Sequence, residues 1–204
     1  VDGLPEVVEK EAAKVVEILN KYDGQAQLAK NAQDRDNLWA ARRAALPALA
    51  KLRPTTFVED ATVPRNQVAA MIRLVNDAAA KYNVTIGTFG HAGDGNMHPL
   101  ILFDANEPGA LQKAEELGAR ILELCVAVGG TITGEHGVGR EKINQMCVQY
   151  ATPELEAFRR VKAAFDDAGL LNPGKAIPSL HRCAEYGRMH VHRGELKFPE
   201  MERF

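Results

Sequence analysis

Two histidines flank a glycine-rich stretch near the middle of the chain. Residues 90–98 have the sequence GHAGDGNMH. The Asp94-Gly95 pair predicts a two-residue hairpin turn, which places His91 directly opposite His98 on one face of the hairpin. Opposed Cβ atoms lie about 4.5–5.5 Å apart, so two imidazoles in this register can bind one divalent cation. The alternative is a glycine-rich hairpin that carries two surface histidines.

A second candidate segment, residues 129–139, has the sequence GGTITGEHGVG. Glu135 could complete a His/His/Glu metal site that leaves coordination positions open for a substrate. Adjacent side chains on an extended segment point in opposite directions, so Glu135 can face the metal while His136 faces the reacting atom as a general base. The alternative is an anion-binding glycine turn, although the chain has no P-loop motif.

Two further polar residues carry weaker signals. Arg42 follows Trp39 by three positions and could clamp a carboxylate through two hydrogen bonds, although Arg43 could do the same and either could be a solvated helix charge. Asn172 lies in the sequence NPGK, which is typical of a turn.

The apolar pattern predicts the elements that must position these residues. Helical spacing predicts helices over 5–22, 31–50, 66–82, 108–128 and 153–168. Extended runs predict strands over 57–63, 84–90, 97–103 and 131–133. From residue 57 to residue 133 the order is βαββαβ, which predicts an α+β fold with a ferredoxin-like antiparallel sheet and flanking helices. The central hairpin argues against a doubly wound nucleotide-binding fold.

Composition excludes several classes of protein. The chain of 204 residues has 25 basic and 27 acidic residues, which argues against a polybasic nucleic-acid binder. No apolar run approaches the roughly 18 residues of a transmembrane helix. Three widely spaced cysteines without a CxxC motif fit a reducing compartment better than a disulfide framework, so we expect a cytoplasmic protein. The opening VDG resembles the end of a strand whose beginning was removed, and residues 179–204 form a polar tail that we expect to be irregular.

Three motifs, at 90–99, 129–139 and 171–175, resemble the C-terminal domain of FAD-linked 2-hydroxyacid oxidases, within the vanillyl-alcohol oxidase superfamily. That family includes D-lactate and D-2-hydroxyglutarate dehydrogenases, and the resemblance, which covers essentially the whole chain, is greatest to its glycolate oxidase group. It implies that residues 1–178 are a substrate- and metal-binding cap domain, truncated at its N-terminus. The N-terminal FAD-binding domain would then be absent from this chain, and the fragment alone would be inactive.

The resemblance also implies roles for residues. A flavin in the separate N-terminal domain takes a hydride from the α-carbon of a 2-hydroxy acid. A divalent metal, zinc or manganese, is held by His91, His98 and Glu135 and polarises the substrate hydroxyl. His136 removes the hydroxyl proton.

By the same resemblance Asn96 contacts the substrate, Arg42 binds its carboxylate and Asn172 lies near the flavin. Leu46 and Val58 stand where relatives that oxidise dicarboxylates have polar groups, which favours glycolate or lactate as the substrate. Other subunits of a glycolate oxidase complex are expected partners and could hold the protein at the inner membrane. The alternative function is a ferredoxin-like interaction module that docks a flavin domain or a partner subunit without a metal site of its own.

Overall fold

The computed structural model describes residues 3–178, and the predicted tail at 179–204 lies outside that range. The elements in chain order are α1 (Pro5–Lys21), α2 (Ala32–Leu49), β1 (Thr55–Val58), β2 (Ala61–Thr62), a 3₁₀ turn (Arg65–Gln67), α3 (Val68–Tyr82), β3 (Thr85–His91), β4 (Asn96–Phe103), α4 (Ala110–Ala127), α5 (Met146–Gln149) and α6 (Thr152–Phe165). Contacts divide the chain into two compact units, Val1–Ala48 and Leu49–Phe204.

The first unit consists of the two long N-terminal helices. Pro5 stands in the first turn of α1, where its missing N–H costs no hydrogen bond. The side chain of Asn31 accepts the N–H of Asp34 and so caps the start of α2. Pro47 lies in the last turn of α2, and the helix ends two residues after it. Neither helix buries a residue.

The second unit is built on a small antiparallel sheet in which β4 is central. β3 pairs with one edge of β4, and β1 and β2 pair with the other. Helices α3 and α4 pack against each other and against this sheet. The core combines side chains from both helices and from β4, among them Met71, Val75, Leu117, Ile121 and Ile101. The predicted α+β class is therefore confirmed.

The first predicted strand, 57–63, is interrupted at Glu59 and Asp60. β1 and β2 pair with β4 in one unbroken register, so these two residues lie opposite Pro99 and His98. The N–H of Glu59 donates to the carbonyl of Pro99 at 3.0 Å, but Pro99 has no N–H to return. The interruption therefore loses one ladder bond without shifting the strand.

The ferredoxin-like topology is not confirmed. The predicted last strand, 131–133, contributes only a single antiparallel bridge, between Thr62 and Thr131, among the residues that the structure describes. The backbone of Thr131 exchanges both hydrogen bonds with Thr62, and the chain then turns away into the glycine-rich loop.

The predicted register of the β3–β4 hairpin was wrong. His91 pairs with Asn96, and His98 pairs with Phe89, so four residues rather than two connect the strands. The carbonyl of His91 accepts the N–H groups of both Asp94 and Gly95, and Gly95 has a φ of 76°, a combination that closes a four-residue loop. Because the error is two residues, it moves no side chain to the other face.

Two further observations concern a cysteine and the helices. Cys125 is buried and free. Within residues 3–178 no helix has the length and hydropathy needed to cross a membrane.

Candidate functional site

Three imidazole nitrogens converge on one carboxylate oxygen. Oε1 of Glu135 lies 2.9 Å from Nε2 of His98, 3.6 Å from Nε2 of His91 and 3.9 Å from Nε2 of His136. The His98 and His136 rings stack with centroids 5.0 Å apart and an interplanar angle of 11°, and the His91 ring meets His98 edge-on at 5.7 Å. The structure thus brings together the predicted metal ligands and the predicted base.

Two strands position the histidines. His91 ends β3 and His98 lies on β4, and both project from the face of the sheet opposite the helices because the hairpin register keeps them on one side. Their side chains are therefore diagonal rather than opposed neighbours, which is still within reach for imidazoles.

The loop that carries Glu135 and His136 packs closely against the sheet at Gly134. A Cβ on Gly134 would lie 2.2 Å from Oγ1 of Thr62 and 2.9 Å from the amide nitrogen of Asn96. Only glycine can occupy this position without moving its neighbours. The next residue is Glu135, so the contact sets how far the carboxylate reaches over the sheet.

Asp60 anchors the same loop and was missed in the sequence analysis. Its Oδ2 accepts four hydrogen bonds, from the hydroxyl of Thr133 at 2.8 Å and from the N–H groups of Gly134, Glu135 and His136 at 2.9, 3.0 and 2.9 Å. The side chain of Asp60 is fully buried. The signal available in the sequence was an acidic pair, Glu59-Asp60, inside an otherwise apolar strand.

The hydrogen bonds decide the charge of Asp60. Burial by itself would raise the pKa of this carboxyl, but the N–H of His136, the hydroxyl of Thr133 and the N–H groups of Glu135 and Gly134 outweigh burial and hold the pKa below its ordinary value. The buried ammonium of Lys142 lies 3.6 Å from Oδ2 and donates to the carbonyl of Asp60 at 3.2 Å. Asp60 is therefore an ionised carboxylate at neutral pH.

The compact group of possible metal ligands among the described residues differs from the predicted set, because it contains Asp60 and His136 and lacks His91. Ligand atoms of Asp60, His98, Glu135 and His136 all lie within 4.8 Å of one another. Asp60, however, lies on the Nδ1 side of His98, with Oδ1 3.9 Å from that nitrogen, whereas Glu135 lies on the Nε2 side. Its other oxygen is already saturated by the loop, so Asp60 is poorly placed to share a cation with Glu135. The imidazole and carboxylate donors that remain suit Zn²⁺ or Mn²⁺.

A small cavity adjoins the metal-ligand candidates. Its volume is about 280 Å³. It is lined by Thr62, His91, Asp94, Asn96, Gly134 and Glu135. Asn96 is 6% exposed, and its Oδ1 accepts the hydroxyl of Thr62 at 3.0 Å, which leaves the amide nitrogen as a donor. The predicted substrate contact, Asn96, therefore lies beside the predicted metal ligands.

The other two predicted residues have different surroundings. Arg42 lies on α2 in the first unit, with its guanidinium carbon 5.5 Å from the centre of the Trp39 ring. Asn172 has a φ of 48° at the start of the NPGK turn, and its side chain accepts the ammonium of Lys175 at 3.1 Å. Ala176 donates its N–H to the carbonyl of Gly139 at 2.8 Å, so this turn adjoins the end of the glycine-rich loop. The roles of Arg42 and Asn172 stay predictions.

Comparison with known proteins gives one consistent result. Residues 1–176 match the family model described as FAD linked oxidases, C-terminal domain. The chain is 52% identical over its full length to the glycolate oxidase subunit GlcD of Escherichia coli K12, of which it covers 41%. It is 45% identical over 175 residues to GlcD of Bacillus subtilis and 35% identical over 173 residues to a D-lactate dehydrogenase of Archaeoglobus fulgidus.

These matches cover 85% and 84% of this chain but only 37% of either relative. The chain thus spans about two fifths of the length of the relatives it matches, and the part it matches is the C-terminal domain of the family. The chain belongs to the family of C-terminal domains of FAD-linked oxidases.

Proposed function

We propose that this chain is the substrate- and metal-binding domain of a FAD-dependent 2-hydroxyacid dehydrogenase that oxidises glycolate or D-lactate to the 2-oxo acid. The convergence of His91, His98 and His136 on one oxygen of Glu135 carries this proposal. The names of the relatives, glycolate oxidase subunit and D-lactate dehydrogenase, support the substrate class. Residues 1–178 form the cap domain, and a flavin domain outside this chain holds the FAD.

The metal site consists of His91, His98 and Glu135. When bound, the zinc or manganese ion supplies a Lewis acid that polarises the substrate hydroxyl. Two imidazoles and one carboxylate leave coordination positions open on the cavity side, where a substrate can enter. The side chain of His98 is 14% exposed and those of His91 and Glu135 are about half exposed, so the site is reachable.

His136 acts as the general base. Its side chain is 49% exposed and stacks on the ring of His98, which holds the imidazole beside the metal ligands. A neutral imidazole there accepts the hydroxyl proton as the hydride leaves the α-carbon for the flavin. The amide of Asn96 donates to a substrate oxygen, because its carbonyl side is already occupied by Thr62.

The remaining parts of the proposal rest on the resemblance. Arg42 binds the substrate carboxylate and Asn172 lies beside the flavin. Leu46 and Val58 leave no polar group for a second carboxylate, which favours a small acid. The enzyme works in the cytoplasm with further subunits of a glycolate oxidase complex, which can hold it at the inner membrane.

Metal content tests the site directly. The purified full chain is expected to bind about one Zn²⁺ or Mn²⁺ per molecule, measured by elemental analysis after dialysis. His98→Ala and Glu135→Gln should each lose the ion, because each removes one of the converging donors. Glu107→Gln, which changes an exposed carboxylate outside the site, is the matched control and should keep the ion. Wild-type protein that binds no divalent ion would contradict the proposal.

Flavin reduction tests the base. In the enzyme that contains its FAD domain, His136→Ala should slow reduction of the flavin by glycolate or D-lactate about 10²–10⁴-fold, the usual contribution of a general base. The same variant should still bind the metal. Near-normal flavin reduction in this variant would show that His136 is not the base.

A second candidate function is docking without a metal site. Four large apolar side chains in and after α6 are exposed in this chain, Phe165 at 83%: Val161, Phe165, Leu170 and Leu171. Such exposure is typical of a surface that another domain covers. Metal-free protein that still binds the flavin domain would favour this candidate, whereas one tightly bound ion favours the enzyme proposal.

A further inference from the structure

We propose that Asp60 is a positioning residue that keeps a proton on Nδ1 of His98, so that Nε2 of the same ring stays directed at the metal site. The inference rests on the proposed function for its consequence, cation binding. Its structural content, the pairing of Asp60 with His98, can be tested without any cation.

The two side chains lie directly opposite each other on neighbouring strands. The unbroken register of β1 and β2 with β4 places Asp60 across from His98. Oδ1 of Asp60 and Nδ1 of His98 face each other at 3.9 Å. Both atoms are buried, and neither has a hydrogen-bond partner within the described part of the chain. Buried polar atoms are nearly always paired, so a small movement that joins these two is favourable.

Asp60 is held in place for this task. Its Oδ2 accepts four donors from residues 133–136, so the carboxylate cannot rotate away without breaking them. The ammonium of Lys142 lies 3.6 Å from the same oxygen. Oδ1 is therefore the oxygen of this carboxylate that can accept a further hydrogen bond, and it faces His98.

The chemistry of the pair decides which ring nitrogen carries the proton. Oδ1 of Asp60 has no other donor and can pair with Nδ1 of His98 when that nitrogen carries a proton. At the other ring nitrogen, Nε2, the Glu135 carboxylate lies 2.9 Å away in the metal-free chain, and a bound cation would take the place of the proton there. Histidine metal ligands commonly donate their second N–H to a carboxylate, which fixes the ring orientation and makes the other nitrogen a better ligand. One buried carboxylate thus holds His98 through its ring and Glu135 and His136 through their backbone.

The substitution Asp60→Asn reverses this arrangement at nearly constant volume. The four donors require an oxygen in the position of Oδ2, so the NH₂ group of the asparagine must take the position of Oδ1 and donate to Nδ1. Nδ1 then becomes an acceptor, and the ring of His98 keeps its proton on Nε2, the nitrogen that the cation needs. Thr133→Val is the matched control, since it removes one donor from the loop and leaves the pair with His98 intact.

The first measurement uses ¹⁵N-histidine NMR on the metal-free full chain at neutral pH, with the His98 signals assigned by His98→Gln. In wild-type protein and in Thr133→Val, Nδ1 should be protonated, and in Asp60→Asn it should not. A wild-type spectrum with Nδ1 unprotonated overturns the inference, and so does an Asp60→Asn spectrum identical to wild type. The wild-type spectrum decides the matter even if Asp60→Asn fails to fold.

The second measurement is the affinity for Zn²⁺, by competition with a chelator. Asp60→Asn should bind Zn²⁺ about 10–100-fold more weakly than wild type, the usual effect of removing such a partner, and Thr133→Val should change the affinity much less. Equal affinities of Asp60→Asn and wild type overturn the inference. Absence of Zn²⁺ binding by wild-type protein contradicts the proposed function instead, and the NMR result then still decides the pairing of Asp60 with His98.

Discussion

Glu59 is a buried carboxyl whose removal should stabilise the protein above neutral pH. It projects from the helix face of the sheet and is 3% exposed, and its Oε2 has no hydrogen-bond partner among the described residues. A Cβ on Gly118 would lie 2.4 Å from its Oε1, so α4 packs directly on this carboxyl. Burial raises the pKa of Glu59 from 4.5 to about 7; Lys142 opposes this effect and Glu141 adds to it.

The sign of the pH effect follows from proton binding. Between pH 4.5 and about 7 the folded protein keeps the proton on Glu59 and the unfolded chain has lost it. The free energy of unfolding therefore falls as the pH rises through this window. The difference between the two pKa values corresponds to about 3 kcal/mol, which is the cost of the ionised carboxylate at pH 8. The substitution Glu59→Gln keeps the shape and removes the charge, so it escapes this cost.

Urea denaturation followed by circular dichroism measures the effect. The free energies of unfolding of wild type and Glu59→Gln should be compared at several pH values from about pH 4.5 to about pH 8, with a chelator present to exclude bound metal. The advantage of the glutamine variant should grow by up to about 3 kcal/mol across this range, because the titration of Glu59 is the main difference between the two proteins. A difference that stays constant with pH, or that shrinks as the pH rises, would refute the reasoning.

Three other substitutions have specific expected outcomes. Gly134→Ala should weaken Zn²⁺ binding at least tenfold in a chelator competition, because its Cβ collides with the threonine hydroxyl of β2, whereas Gly93→Ala, which meets nothing within 4 Å, should bind like wild type. Lys142→Met should raise the pKa of Glu59 above 7, because the ammonium of Lys142 lowers that pKa. In the same urea series, the pH at which the free energy of unfolding stops falling should therefore move upward, and an unchanged pH would contradict this reasoning. In the enzyme that contains its FAD domain, Arg42→Lys should raise KM for the 2-hydroxy acid about tenfold with little change in kcat, because lysine cannot make the bidentate pair with a carboxylate. An unaltered KM would show that Arg42 does not bind the substrate.

Helices were the most predictable part of this fold. Apolar spacing predicted 66–82 and 108–128, and the structure has Val68–Tyr82 and Ala110–Ala127. Both helices bury one continuous stripe against the sheet, so the period of the sequence reports their packing directly. The interruption of the first strand could not be predicted in the same way. It depends on Pro99, which lacks an N–H, lying across from Glu59, and this is a property of the pairing rather than of either segment.

His91 and His98 lie on the same face of the sheet although the predicted hairpin register was wrong, and the reason is physical. The predicted two-residue turn and the observed four-residue connection differ by two residues, and a shift of two preserves the face on which each side chain lies. His91 and His98 therefore remain neighbours, although diagonal rather than opposed. A shift of one residue would have directed His91 and His98 to opposite faces of the sheet and removed the metal hypothesis.

The acidic pair in the first strand shows what a sequence pattern leaves out. Glu59 and Asp60 are adjacent in an extended strand, so they project to opposite faces, one toward the helices and one toward the site. Their pKa values move in opposite directions although both carboxyls are buried, because Asp60 accepts four hydrogen bonds from residues 133–136 and Oε2 of Glu59 accepts none from the described residues. The period of the strand predicts the opposite faces. The donors that separate the two groups come from a loop more than seventy residues away along the chain, and only the folded structure brings them there.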